Sequence, residues 1–205
     1  MKLVYAPNTC ALGIHLLLEE IGLAYSPVAV DFTRREQYGP EFVALNPKSK
    51  VPVLVRDDGS VLTELPAIAF YLARLNPSLG LLPVGLEGEI RALELLEYLV
   101  GTVHMRGYTR LIRPNFFTAN AADEPAVRAA GHEVVTKAFA LLAPILGDQH
   151  FMLGRFGIVD CVMFFLEYWA RHRCEVPLPA NLDAHFDRLM ARPAAQRTLA
   201  AEGLA

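Results

Sequence analysis

One cysteine near the start of the chain carries the clearest chemical signal. Cys10 ends the run Tyr5-Ala6-Pro7-Asn8-Thr9-Cys10, between a short apolar segment and the first helical pattern. If Thr9 caps that helix, Cys10 falls in its first turn, where unpaired N–H groups and the positive end of the helix dipole favour a thiolate. That predicts a lowered thiol pKa and a nucleophilic sulfur. A small buried residue with no chemistry is the competing reading. Cys10 has no Cys-x-x-Cys partner, because positions 7 and 13 are Pro7 and Gly13. Cys161 and Cys174 bring the count to three, with no spacing that implies a disulfide framework or a metal quartet.

Other residues could serve the same site. Val51-Pro52 opens a strand, where a proline cannot donate to the ladder, so it marks an edge or a cis bond. A cis turn would present the Val51 main chain to a peptide-like ligand; an ordinary strand-initial proline would not. Glu64 follows Thr63 at a helix start, where the dipole favours an acid and where its carboxylate could grip a ligand ammonium. His104, Arg106 and Tyr108 fall on one long helical pattern, with Arg110 and Arg113 beyond them. Asp160, three residues after Gly157, reads as a structural cap that reaches back to the Gly157 N–H.

The elements that must position these residues change character along the chain. Lys2–Tyr5 is a strand. Ala11–Ile21 is a helix, with Leu12, His15, Leu16 and Glu19 stepping by three and four and Gly22 as its stop. Residues 25–32 form a second strand, and Pro40–Leu45 a short helix stopped by Asn46-Pro47. Residues 51–55 and Val61–Thr63 flank Asp57-Asp58-Gly59-Ser60, a hairpin signal because the turn needs φ > 0. Residues 66–75 form a third helix. The order predicts a small α/β sheet of about four strands over residues 1–76.

Residues 76–86 hold two prolines and two glycines, and 77–86 is read as a linker. Residues 87–205 read as all-helical: a long helix at 87–113 weakened by Gly101 and Gly107, then 125–146, a buried central helix at 158–174, and short helices at 182–191 and 194–199.

Composition narrows the function. The chain has 205 residues, 19 Lys+Arg against 22 Asp+Glu, and a net charge of −3. That argues against a nucleic-acid binder, which needs a basic stripe. With 53% hydrophobic and 20% charged residues, the chain can bury a core and is not disordered. The N-terminus lacks the apolar region of roughly 7–15 residues of a signal peptide. The apolar stretch 158–166 is broken by Asp160 and falls short of the roughly 20 residues of a membrane span. A cytoplasmic protein with reduced thiols, no membrane partner and no metal is expected.

Taken together, these segments resemble the cytosolic glutathione transferases, most nearly the bacterial beta class, over essentially the whole chain. The segments are Lys2-Leu3-Val4-Tyr5 through Cys10; Leu45-Asn46-Pro47-Lys48 with Val51-Pro52-Val53-Leu54; Leu62-Thr63-Glu64 with Ala67-Ile68; Val103-His104 with Gly107-Tyr108; Phe156 with Asp160; and Arg192-Pro193. The resemblance implies a thioredoxin-like N-terminal domain, an all-α C-terminal domain and a homodimer. It implies glutathione as co-substrate, and a small electrophilic or peroxide substrate, of the kind handled in detoxification, held between the domains.

By position, Cys10, with Thr9 beside it, matches the cysteine next to the glutathione sulfur, and His104 a histidine near that sulfur. Val51 and Pro52 match the pair that holds the cysteinyl main chain. Glu64 and Leu65 match the pair that binds the γ-glutamyl end, and Arg34 or Arg35 a basic residue near the glycyl carboxylate. Arg106 stands in for a lysine, and Tyr5 is a further candidate donor to the thiolate. Tyr108, Phe116 and Phe117 would line the acceptor site. The chain departs from the pattern at Leu65, usually a serine, and at Ala11. The alternative is a non-enzymatic ligand- or partner-binding protein on this fold.

Overall fold

β1 (Lys2–Tyr5) and β3 (Val53–Val55) form the middle of a four-stranded sheet in the order β2-β1-β3-β4, with β2 at Ser26–Ala29 and β4 at Val61–Thr63. β1 runs parallel to β2 and antiparallel to β3; β3 and β4 are antiparallel, with Val53 opposite Thr63. The turn between β3 and β4 is the expected one: Gly59 has φ +81°, and the Arg56 N–H donates to the Ser60 carbonyl at 2.9 Å. The second strand is shorter than the sequence pattern at 25–32. The computed structural model describes residues 1–205.

α1 (Ala11–Ile21) is buried from Ala11 to Leu18, and α3 (Leu65–Leu75) buries Ile68, Ala69, Leu72 and Ala73. α1 ends at Gly22, whose φ of +73° lets its N–H return to the Leu18 carbonyl. α2 (Pro40–Leu45) lies in the connection to β3.

The chain divides into two compact units, residues 1–82 with 190–205, and residues 83–189. This corrects the expected helical domain of 87–205. The last helix, α9 (Pro193–Glu202), belongs with the sheet. Arginines at and within it explain why: Arg192, just ahead of the helix, pairs with Glu20 (Nη2–Oε2 2.9 Å) and Arg197 with Glu19 (2.6 Å), both acids on α1. Sequence periodicity cannot report such a long-range return.

The second unit contains α4 (Gly85–Glu97), α5 (Thr109–Ile112), α6 (Glu124–Leu146), α7 (Ile158–His172) and most of α8 (Ala180–Met190). The expected continuous helix at 87–113 is interrupted. Tyr98–Tyr108 winds as a π-helix, with the wider i→i+5 pattern that marks local irregularity. Gly107 lies where this stretch meets α6. A Cβ there would stand 2.6 Å from Val135 Cγ2, so only glycine allows the approach. The segment long and apolar enough to span a bilayer by composition is Ala121–Leu146, not 158–166. Within the unit it buries one face, through Val135, Phe139 and Leu142, and leaves Leu141 and Ile145 exposed.

α7 is buried from Ile158 to Ala170. Asp160 accepts from the Gly157 N–H (2.8 Å), as the cap spacing predicts, and also from the Met152 N–H (2.8 Å). Its Oδ1 lies 3.0 Å from His185 Nε2, and His185 Nδ1 lies 2.9 Å from Glu167 Oε1, all three side chains being buried. Burial opposes a charged ring, yet the two carboxylates outweigh it and raise His185 to about 9. Burial also raises Glu167, to about 7.

Both shifts mean that the folded state binds more protons than the unfolded one. The stability contributed by Glu167 is lost from about pH 4.5 to 7, and that of His185 from about 6.5 to 9. The His185 contribution corresponds to roughly 3 kcal/mol. Melting temperature is therefore expected to fall more steeply between pH 6.5 and 8.5 in the native chain than in His185→Gln. Parallel slopes would show that this network does not titrate there.

Candidate active site

The loop from β1 to α1 brings Thr9 and Cys10 to the start of α1. Thr9 Oγ1 donates to the Ala6 carbonyl (2.7 Å) and accepts from the Ala11 N–H (3.3 Å). Its hydroxyl is used to shape the loop and cap the helix, and Cys10 itself is the residue flanking the first helical position. The Cys10 sulfur lies 3.5 Å from the Val51 carbonyl, to which it donates. Val51-Pro52 is cis, one of the two isomers the sequence allows.

The expected lowering of the Cys10 pKa is not found. Burial is the largest effect and pushes the thiol up to about 12; the nearby N–H groups and Lys50 act downward but are outweighed, and Glu64 adds to the rise. Desolvation of the sulfur outweighs the donors at the helix end.

Glu64 precedes α3 with φ +71°, ψ +122°, a strained conformation for a side-chain-bearing residue. Leu65 turns its side chain into the core, so it presents only main chain at the helix start. Lys48, which the sequence reading passed over as a site residue, donates to Thr63 Oγ1 (2.6 Å) and pairs with Glu64. Arg35 stacks over Tyr38 at 5.2 Å, and Arg34 pairs with Glu36 at 3.6 Å, so both are held by their own loop. Tyr5 has its hydroxyl 3.5 Å from the Ala201 carbonyl in α9.

Sequence reasoning also missed Glu202. This buried carboxylate accepts from the Asn8 N–H (3.0 Å) and bonds His15 Nδ1 (2.8 Å). It thereby ties α9 to the loop carrying Thr9 and Cys10. His15 was legible only as a helix-face position, and nothing in local spacing links residues 194 apart.

The remaining candidates lie on the second unit. His104 packs edge-on against Phe165 and Trp169, with ring centroids 5.4 and 5.3 Å away. Tyr108 is fully buried and donates its hydroxyl to the Leu166 carbonyl (2.7 Å), so it is a core residue and not an accessible acceptor wall. Arg106 is exposed, and its carbonyl accepts from Arg110. Phe116 and Phe117 are 57% and 41% exposed, under Arg113 and Arg110 respectively.

A cis-proline turn facing a cysteine at a helix start, on a mixed four-stranded sheet, is thioredoxin-like. The helical unit inserted after it makes the class that of the glutathione transferases. Residues 1–74 match the family model for the glutathione S-transferase N-terminal domain. The chain is 35% identical over 209 residues to glutathione S-transferase GstA of Escherichia coli O157:H7, covering 100% of both. It belongs to the glutathione S-transferase family.

Among solved structures it is similar to the bacterial beta class enzyme of Sphingomonas chungbukensis (32% identity, TM-score 0.86, 100% of each chain). It is equally similar to a sphingomonad glutathione S-transferase complexed with glutathione (32% identity, TM-score 0.85, 100% of each chain).

Proposed function

We propose that this protein binds glutathione along Val51 and Glu64 and adds its thiolate to a small electrophile. The observation that carries the reading is the Val51 carbonyl, 3.5 Å from the Cys10 sulfur at the start of α1. A cysteinyl main chain would pair with Val51, and its sulfur would meet the Cys10 N–H and the positive end of the α1 dipole. The chain contributes position and thiolate stabilisation. The new S–C bond forms as the leaving group departs with its electron pair.

Cys10 acts here as a protonated neighbour of the reacting sulfur: its thiol donates to the Val51 carbonyl, and burial favours the protonated form. Cys10→Ala is expected to keep conjugation of a chloronitrobenzene within about threefold, a change of under 1 kcal/mol in barrier. A loss of a hundredfold or more would make Cys10 the working sulfur, in thiol–disulfide exchange or peroxide reduction. Absence of any thermal shift with glutathione in the native chain would reject the reading altogether.

A homodimer in a reducing cytoplasm fits the same proposal. Val84, Leu86, Ile90 and Leu93 leave an exposed apolar strip at and along α4, the kind of surface a second copy would cover.

A further inference from the structure

The start of α3 lacks donors. Position 65 has an apolar, buried side chain, and Pro66 has no N–H, so the first turn can offer an anion little beyond the Leu65 and Ala67 main chain. A cation has been brought to this place. Asn46 is buried; its Oδ1 accepts from the Lys48 N–H (3.2 Å) and its Nδ2 donates to the Lys50 carbonyl (2.8 Å). This fixes the loop 46–50 immediately ahead of the cis turn. Within that loop Lys48 extends to Thr63 Oγ1 at 2.6 Å and to the Glu64 carboxylate. Glu64 in turn is held in its strained backbone conformation.

An ammonium beside a carboxylate, both solvent-facing at 48% and 62% side-chain exposure, is a receptor of complementary shape for a zwitterion. The γ-glutamyl end of glutathione is such a group, with an α-ammonium and an α-carboxylate on one carbon. Resting on the glutathione reading above, we infer that Lys48 is a specificity-determining residue that binds the γ-glutamyl α-carboxylate in place of the hydroxyl absent at Leu65. Glu64 takes the α-ammonium. In the empty site the two side chains neutralise each other. When the ligand enters, four charges alternate around a ring and no charge is left unpaired. Thr63 keeps the Lys48 ammonium near the helix start, where it meets the carboxylate without reordering its long side chain.

The test is a binding cycle by isothermal titration on the full-length protein. The ligands are glutathione and 4-aminobutyryl-cysteinylglycine, which lacks only the α-carboxylate. The native chain is expected to lose about tenfold in affinity on that deletion, the scale of one hydrogen bond to a charged group. Lys48→Met should bind glutathione about tenfold more weakly and should not distinguish the two ligands. Lys48→Arg should recover most of the difference, and Lys48→Met with Leu65→Ser should recover part by restoring a hydroxyl. Added salt should weaken glutathione binding in the native chain more than in Lys48→Met.

Equal glutathione affinity in the native chain and Lys48→Met overturns the assignment. So does an undiminished discrimination between the two ligands in Lys48→Met. Failure of the native chain to bind glutathione at all is a different result: it removes the functional reading, and the role of Lys48 with it.

Discussion

Replacing Glu202 by alanine is expected to destabilise the protein by about 3–5 kcal/mol, although Glu202 lies far from Cys10 in sequence. The side chain is buried and serves two donors, the Asn8 N–H and His15 Nδ1. Alanine leaves the buried His15 ring and the part-buried Asn8 N–H without their acceptor, at about 1–3 kcal/mol for a group left unsatisfied. The surface pairs of α9 with Glu19 and Glu20 persist, so the helix stays attached while the loop loosens. Asn8 stands two residues from Cys10 and holds φ +56°, a left-handed conformation that asparagine adopts readily. Glutathione affinity should therefore fall together with stability. Glu202→Gln keeps the acceptor for Asn8 and should show a smaller loss of both. Urea unfolding and calorimetric titration of the two variants decide the matter; a change below about 0.5 kcal/mol in the alanine variant would show that the tie has no energetic weight.

Asp160→Ala is expected to be as damaging, in the other unit. One carboxylate meets the Met152 and Gly157 N–H groups and His185. Removing it uncaps α7, the helix buried on nearly every side, and leaves a buried imidazolium with Glu167 alone. Truncating one member of such a pair costs about 3–5 kcal/mol. Asp160→Asn is a poor rescue, because its amide nitrogen would face other donors. Guanidinium unfolding should place Asp160→Ala far below the native midpoint and Asp160→Asn between them or beside the alanine variant. A native-like midpoint for Asp160→Ala would sink the argument.

The cap at Asp160 was legible because its partner lies three residues away in a known spacing. The sheet was legible for the same kind of reason: alternating runs, an Asp-Gly turn and a proline at a strand start are local signals. Val51-Pro52 could be flagged but its isomer could not, since the residues permit both. What escaped the sequence is long-range. The burial that reverses the expected shift at Cys10 comes from the surrounding fold, and the Glu202 tie comes from the far end of α9. The π-helical Tyr98–Tyr108 is also a tertiary result, because Gly107 marks a close approach only once Val135 is known to be opposite. Tyr108 illustrates the limit in reverse. Its family position suggested a ligand, while its hydroxyl is spent on Leu166 inside the core.

The first unit is discontinuous: residues 1–82 receive residues 190–205 after the whole second unit has intervened. Synthesis runs in one direction, so the sheet emerges early and its fastening carboxylate emerges late. Until Glu202 has cleared the ribosome, Asn8 and His15 have no acid to close upon, and the Cys10 loop is an unfinished part. The same reasoning separates the stretch that sequence comparison delimits, residues 1–74, from the object that folds. An excised sheet module would carry Thr9, Cys10, Val51 and Glu64 and still lack its clasp.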